Sequence, residues 1–154
     1  GSVIAVLSTP VDGATGSLRS PCIGVAGGSD YLVGGAIQAS FGQSRSGAAG
    51  VDVRWHDDAA CGSPIGTSAR VDAAEGTEFA AVVQTVTAPP SALSAEVQCT
   101  LEVAGTTNAP YAATCDSLFL PEPASGLGAI GALASLATLA RRATARVPRA
   151  STDA

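Results

Sequence analysis

The chain has 154 residues, with eight basic residues, all of them arginine, against thirteen acidic ones, for a formal net charge of −5 at pH 7. Residues 1–123 hold twelve acidic and four basic residues, net −8, and residues 124–154 hold one acidic and four basic, net +3. An acidic body without lysine lacks the basic footprint that nucleic acid requires, and the length suits one domain of about 120 residues with an appendage.

Eighteen glycines and nine prolines punctuate the chain, and short runs of period 2 lie between them. Val3 to Ser8 and Cys22 to Val25 read as strands. Tyr31, Val33, Gly35, Ile37, Ala39 and Phe41 form one face of a longer strand. The stretch Phe41 to Gly50 reads as a loop. Val51, Val53 and Trp55 then alternate with Asp52, Arg54 and His56. A second loop is expected from Ala60 to Gly76. Strands follow at Phe79 to Thr87, Ala95 to Val103 and Tyr111 to Leu120. No helical period occurs before residue 124. Several short strands parted by turn residues predict an antiparallel sandwich or barrel over residues 1–119.

Four cysteines, Cys22, Cys61, Cys99 and Cys115, sit in this body. None forms a Cys-x-x-Cys pair and the chain has one histidine, so a zinc site is not expected. Disulfides are. Residues Ala95 to Val103 alternate cleanly and turn Cys99 toward the core. Residue 107, midway between 99 and 115, falls in the turn Gly105-Thr106-Thr107-Asn108. An antiparallel hairpin folded there sets Cys99 opposite Cys115, which predicts that pair and leaves Cys22 with Cys61. The alternative is four free buried thiols.

Trp55-His56-Asp57-Asp58 is the densest chemical cluster. One reading makes it a ligand site in which the indole stacks on a sugar ring while imidazole and carboxylates bond its hydroxyls. The plainer account continues the Val51/Val53 core face through Trp55, and alternation favours it. A polar sheet face of Asp52, Arg54, His56, Glu96, Gln98 and Glu102 could bind weakly, and is equally read as a plain solvated face. Asp57 and Asp58, as neighbours on a strand, point to opposite faces and cannot flank one bond as acid and base. No Gly-x-Ser-x-Gly elbow accompanies His56. No enzymatic activity and no cofactor are expected.

The chain closes with Leu-Pro-Glu-Pro, then seventeen uncharged, mostly apolar residues (Ala124 to Ala140), then Arg141-Arg142. Leu127, Ile130, Leu133, Leu136 and Leu139 recur every third residue, so they wind around a helix axis instead of forming one stripe. Such a helix suits lipid, and at 1.5 Å per residue it spans roughly 25 Å, slightly less than the ~30 Å hydrocarbon core. The arginine pair fits a cytoplasmic flank. Residues 143–154 are expected to be a disordered basic tail. The opening Gly1-Ser2-Val3 carries neither an initiator methionine nor a leader, so the chain reads as a mature or truncated segment.

Pro121-Glu122-Pro123, the apolar segment 124–140 and Arg141-Arg142 together resemble the PEP-CTERM sorting signal of exported bacterial proteins. The resemblance implies export, recognition by an exosortase-type membrane enzyme, membrane contact through the helix, and delivery to the cell surface or extracellular matrix. The body is similar to the carbohydrate-binding-module-like, galactose-binding-like jelly roll. Ala88-Pro89-Pro90-Ser91-Ala92 through Val97, Leu101 and Val103 match its penultimate-strand step, and Asp116, Leu118 and Leu120 match its closing strand. That likeness implies possible polysaccharide contact. It also makes Asp116 a candidate ligand for a structural Ca²⁺, beside the plainer account of a hydrogen-bonded aspartate at a strand end. The resulting expectation is a non-enzymatic surface or matrix protein. Its alternatives are a structural component that binds other proteins and an accessory domain of a larger secreted enzyme.

Overall fold

The computed structural model describes residues 2–40 and 42–120. The sorting motif Pro121-Glu122-Pro123, the apolar segment 124–140, Arg141-Arg142 and the tail 143–154 lie outside the described residues, as does Phe41. Among the described residues no helix is long and apolar enough to cross a membrane.

Ten strands follow one another: β1 (Val3–Leu7), β2 (Thr15–Arg19), β3 (Ile23–Gly24), β4 (Asp30–Gln38), β5 (Gly47–His56), β6 (Pro64–Thr67), β7 (Val71–Asp72), β8 (Ala80–Thr87), β9 (Ser94–Val103) and β10 (Tyr111–Phe119). They form two antiparallel sheets. The first has the order β1-β10-β4-β8 and the second β2-β9-β5-β6, with β3 beside β9 and β7 beside β5. Without the two-residue strands, β1 pairs with the last strand, β2 with the one before it, and β4 with β8 and β5 with β6 complete the two sheets. This nested order is that of a jelly roll.

Alternation explains which side chains reach the interior. Val51, Val53 and Trp55 of β5 and Ala95, Val97, Cys99, Leu101 and Val103 of β9 are buried against Tyr31, Val33, Ile37 and Tyr111 of the first sheet. Six of the 21 buried core residues are alanine. A methyl contributes about 0.8 kcal/mol where a Val or Leu contributes roughly 1.5–3. The core is therefore light in apolar volume, and covalent links take a larger share of its stability.

Two disulfides supply them, Cys22–Cys61 and Cys99–Cys115. The expected hairpin between the second pair does not exist. Cys99 lies on β9 of the second sheet, flanked by Leu18 and Val51, and Cys115 lies on β10 of the first sheet, flanked by Val3 and Ile37. The chain crosses between sheets after Val103, so the two sulfurs meet through the core and not across a ladder.

Three further expectations are corrected. β2 was not anticipated: its sequence Thr-Gly-Ser-Leu-Arg has one strong apolar residue, and its extended state comes from pairing with β9, Thr15 against Glu102 through Arg19 against Gln98. β5 begins at Gly47, inside the expected loop 41–50. Its opening Gly-Ala-Ala-Gly has little β propensity, yet a Cβ on Gly47 would stand 2.8 Å from the Tyr111 ring and 2.6 Å from the Glu102 carbonyl, so the close approach requires glycine. The expected loop 60–76 contains β6 and β7, which extend the second sheet beyond β5.

Candidate functional site

The cluster at the end of β5 does not converge on one point. Trp55 is buried and tilted against Tyr31, with ring centroids 6.4 Å apart, so its indole offers no exposed face for a ligand. His56 is buried on the opposite side of the strand, its Nε2 3.2 Å from Glu96 Oε2. Asp57 is exposed. Asp58 turns back into its own loop, where it accepts from the backbone N–H groups of Ala60 (2.7 Å), Gly62 (3.1 Å) and Ser63 (2.5 Å). Those bonds, from Gly62 first and then Ala60, hold its carboxyl below the usual carboxylate range. They also support Cys61 at a φ of +56°, the conformation from which it reaches Cys22. Asp58 is a loop anchor in this geometry.

Asp116 stands on β10 at a bulge. The register with β4 shifts between Asp116 and Phe119, and Ser117 takes a φ of +54°. The Asp116 carboxylate accepts from the hydroxyls of Ser2 (2.8 Å) and Ser117 (3.1 Å), and the Ser2 bond first of all lowers its pKa. Among the described residues no group of three or more His, Cys, Asp or Glu side chains is gathered as a metal site.

The outer face of the second sheet is where polar side chains do converge. Register places Arg19, Gln98 and Asp52 in one row across β2, β9 and β5, and Glu96, Arg54 and Thr67 in the next across β9, β5 and β6. The first row is bonded throughout. With its amide oriented to satisfy both neighbours, Gln98 donates to Asp52 Oδ1 (2.9 Å) and accepts from Arg19 Nε (3.0 Å). Thr100 Oγ1 donates to Asp52 Oδ2 (2.7 Å). Burial still pushes the Asp52 carboxyl upward, against the lowering effects of Thr100 and of the Arg70 charge. Glu96 links the rows, since its Oε2 meets His56 and lies 3.8 Å from Arg19 Nη1.

At the other end of the face Arg70 spans Asp72 (2.5 Å) and Glu102 (2.7 Å). Gly50 makes room for it, because a Cβ there would stand 2.8 Å from Arg70 Cγ and 2.6 Å from Asp72 Oδ1. Arg54, in the centre, makes no ion pair among the described residues. The result is a plane of planar, multiply bonding groups, balanced in charge and held in fixed orientations by cross-strand bonds. Asp52, Gln98 and His56 are buried within it, and Arg19 and Arg54 are more open to solvent.

Alternation in β5 and β9 marks Asp52, Arg54, His56, Glu96, Gln98 and Glu102 as one face, and the structure brings them together. Arg19, Thr100, Arg70 and Asp72 belong to it as well and were missed. Arg19 and Asp72 sit on strands that carry almost no apolar signal, and Arg70 just precedes one. Thr100 was legible, as it falls on the same alternation as Gln98.

No protein-family model matches the chain, and no curated protein matches it. Among solved structures, it is similar to the enzymatically active domain of tailspike protein 4 of bacteriophage CBA120, with a TM-score of 0.52 and 16% identity over 79% of this chain and 18% of that one. The chain thus spans less than a fifth of the tailspike polypeptide, and the likeness is one of fold. The EclA C-terminal domain, a sugar-binding protein, aligns with a TM-score of 0.45 at 18% identity, covering 79% of each chain. The CBM22-1 and GH10 modules of Clostridium thermocellum endo-1,4-β-D-xylanase 10B, complexed with xylohexaose, align with a TM-score of 0.38 at 13% identity, over 78% of this chain and 24% of that one.

Proposed function

We propose that the chain is a non-enzymatic exported protein of the cell surface or extracellular matrix, and that it contacts polysaccharide through the outer face of the second sheet. The observation that carries the polysaccharide reading is the bonded row Arg19–Gln98–Asp52–Thr100, with Arg54 beside it in no ion pair among the described residues. The Arg19 and Arg54 guanidiniums can each bond two neighbouring hydroxyls, while Gln98 and Asp52, each buried at 6% exposure, are spent on cross-strand bonds that hold Arg19 in place before a ligand arrives. With Trp55 turned into the core, the rows of this face named above hold no aromatic ring among the described residues, and contact with a single sugar chain is weak. Many weak contacts along a polymer add up through avidity.

Export is supported by the two disulfides, which persist in oxidising compartments. Sorting rests on the PEP-CTERM-like order of Pro121-Glu122-Pro123, the apolar segment 124–140 and Arg141-Arg142. In this reading an exosortase-type enzyme acts near the Pro-Glu-Pro, and residues 124–140 enter the membrane. A structural role in binding other proteins, or service as an accessory domain of a larger secreted enzyme, is the alternative.

A glycan array probed with the full chain tests the first part. Retention on neutral polysaccharides, reduced at least tenfold by Arg54→Ala and by Gln98→Ala, is the expected result. Silence across the array favours the structural alternative. Replacing Pro121, Glu122 and Pro123 together by alanine tests sorting, and unchanged localisation and processing would remove that part of the proposal.

A further inference from the structure

Of the strand edges among the described residues, β1 is the one that joins an uncharged edge to exposed large aliphatic side chains. Exposed edges invite pairing with another chain, and proteins blunt them with charge, proline, bulges or short strands. The edges of the second sheet carry such devices. β2 ends in Arg19 before Ser20-Pro21, and β3 has two residues. β6 starts at Pro64 and its register with β5 is broken between Trp55 and His56. β7 has two residues, one of them Asp72. β8 has neither charge nor proline, but none of its residues is a large exposed hydrophobic, so that edge offers little apolar surface.

β1 reads Val-Ile-Ala-Val-Leu, without charge or proline, and runs in unbroken register with β10 from Val3 against Cys115 to Leu7 against Tyr111. Three of its side chains are largely in solvent: Val3 at 52%, Ile4 at 68% and Val6 at 61%. No other strand of the described residues pairs with its far side.

We infer that β1 is a homotypic docking edge whose partner is β1 of a second copy of this chain, paired antiparallel about Ala5. The strand is self-complementary in that register. Ala5 meets Ala5, Val3 meets Leu7, and Ile4 meets Val6 in both directions, so two pairs of exposed aliphatic side chains cover each other. The contact is isologous and closes as a two-fold dimer in which two first sheets become one of eight strands. Charge does not oppose it. The nearest acid, Asp116, is one strand inward and opposite Ser2. With strands about 4.8 Å apart and about 3.4 Å per residue, the two Asp116 carboxylates are roughly 25 Å apart in the dimer, well past the ~8 Å screening length at physiological salt. An edge of five residues buries well under the ~1,200 Å² of a stable complex, so the pairing is reversible and grows effective where copies are concentrated. This inference stands apart from polysaccharide contact, which uses the other sheet.

The test is sedimentation of the full chain in detergent micelles, combined with amide exchange at several protein concentrations. Reversible dimerisation is expected, with β1 amides gaining protection as concentration rises. Ile4→Glu and Val6→Glu, at positions exposed enough to tolerate charge, are expected to weaken the dimer at least tenfold. Val11→Glu, at a 58% exposed position outside every strand, is expected to leave it unchanged. A chain that stays monomeric at millimolar concentration overturns the inference. So does a dimer that survives Ile4→Glu without protection in β1 and is lost when residues 124–140 are deleted, since the apolar segment is then the contact.

Discussion

Cys99 and Cys115 are bonded through the core from one sheet to the other, with Cα atoms 6.4 Å apart and a sequence separation of 16. Both cysteines are almost wholly buried, among the Val51, Ile37 and Leu18 neighbours of β5, β4 and β2. Cys22–Cys61 is its opposite in place. It lies at the sheet ends, with Cys22 exposed, and clasps the loop anchored by Asp58 onto the chain between β2 and β3.

The two bonds are expected to differ in access and in effect. Mild reductant opens Cys22–Cys61 first in the native protein, while Cys99–Cys115 resists until the fold opens. Timed alkylation and mass spectrometry read this order. By loop-closure entropy the 39-residue separation is worth about 4 kcal/mol and the 16-residue separation about 3. Replacing Cys99 and Cys115 by alanine also leaves a cavity in a core rich in alanine, which adds to its loss. Urea unfolding of the two double variants is expected to show the Cys99/Cys115 change as at least as costly. Equal reduction rates for both bonds in the folded state would count against the burial difference.

Arg45 is buried, 3% exposed, and makes no ion pair among the described residues. Its guanidinium donates to the carbonyls of Ala104 (2.9 Å), Val11 (3.2 Å), Gly105 (2.5 Å) and Thr9. It therefore joins the β1–β2 connection to the turn after β9. Arg45→Met strands four carbonyls and is expected to cost at least about 3 kcal/mol in urea unfolding. Arg45→Lys recovers little, because one ammonium cannot span a fork of four acceptors. A loss under 1 kcal/mol in Arg45→Met would mean those carbonyls find other donors.

What could be read from the sequence follows from what alternation encodes. The pattern Val51-x-Val53-x-Trp55 states which side of β5 is buried, and the same pattern through Val97, Cys99 and Leu101 does so for β9. It does not state which sheet a strand joins. Hence Cys99 and Cys115 were paired for a hairpin that the chain does not make. β2 and the Gly47–Gly50 start of β5 were illegible because their strand state is imposed by partners, with Gly47 kept small for Tyr111 and Gly50 for Arg70. Arg45 left no trace for a related reason. Its acceptors are backbone carbonyls from two distant segments, and no side-chain spacing records them.

Asp58 and Asp52 are expected to give opposite pH dependences. The Asp58 pKa is lowered by the N–H groups of Gly62, Ala60 and Ser63 from an ordinary value of 3.8. Its contribution is complete above that value and is lost as pH falls through the folded-state pKa, because the unfolded chain takes the proton first. The Asp52 pKa is raised by burial from the same value. Its ionisation disfavours the fold, so stability falls as pH rises from about 4 through the folded-state pKa. Asp58→Asn should flatten the loss of stability below about pH 4. Asp52→Asn should flatten the decline above it, and retains an oxygen to accept from Thr100. Urea midpoints between pH 2.5 and 7 separate the two limbs, each variant altering one. If Asp58→Asn leaves the acid limb as steep as before, the carboxylate does not hold the Cys61 loop in the way its three N–H bonds indicate.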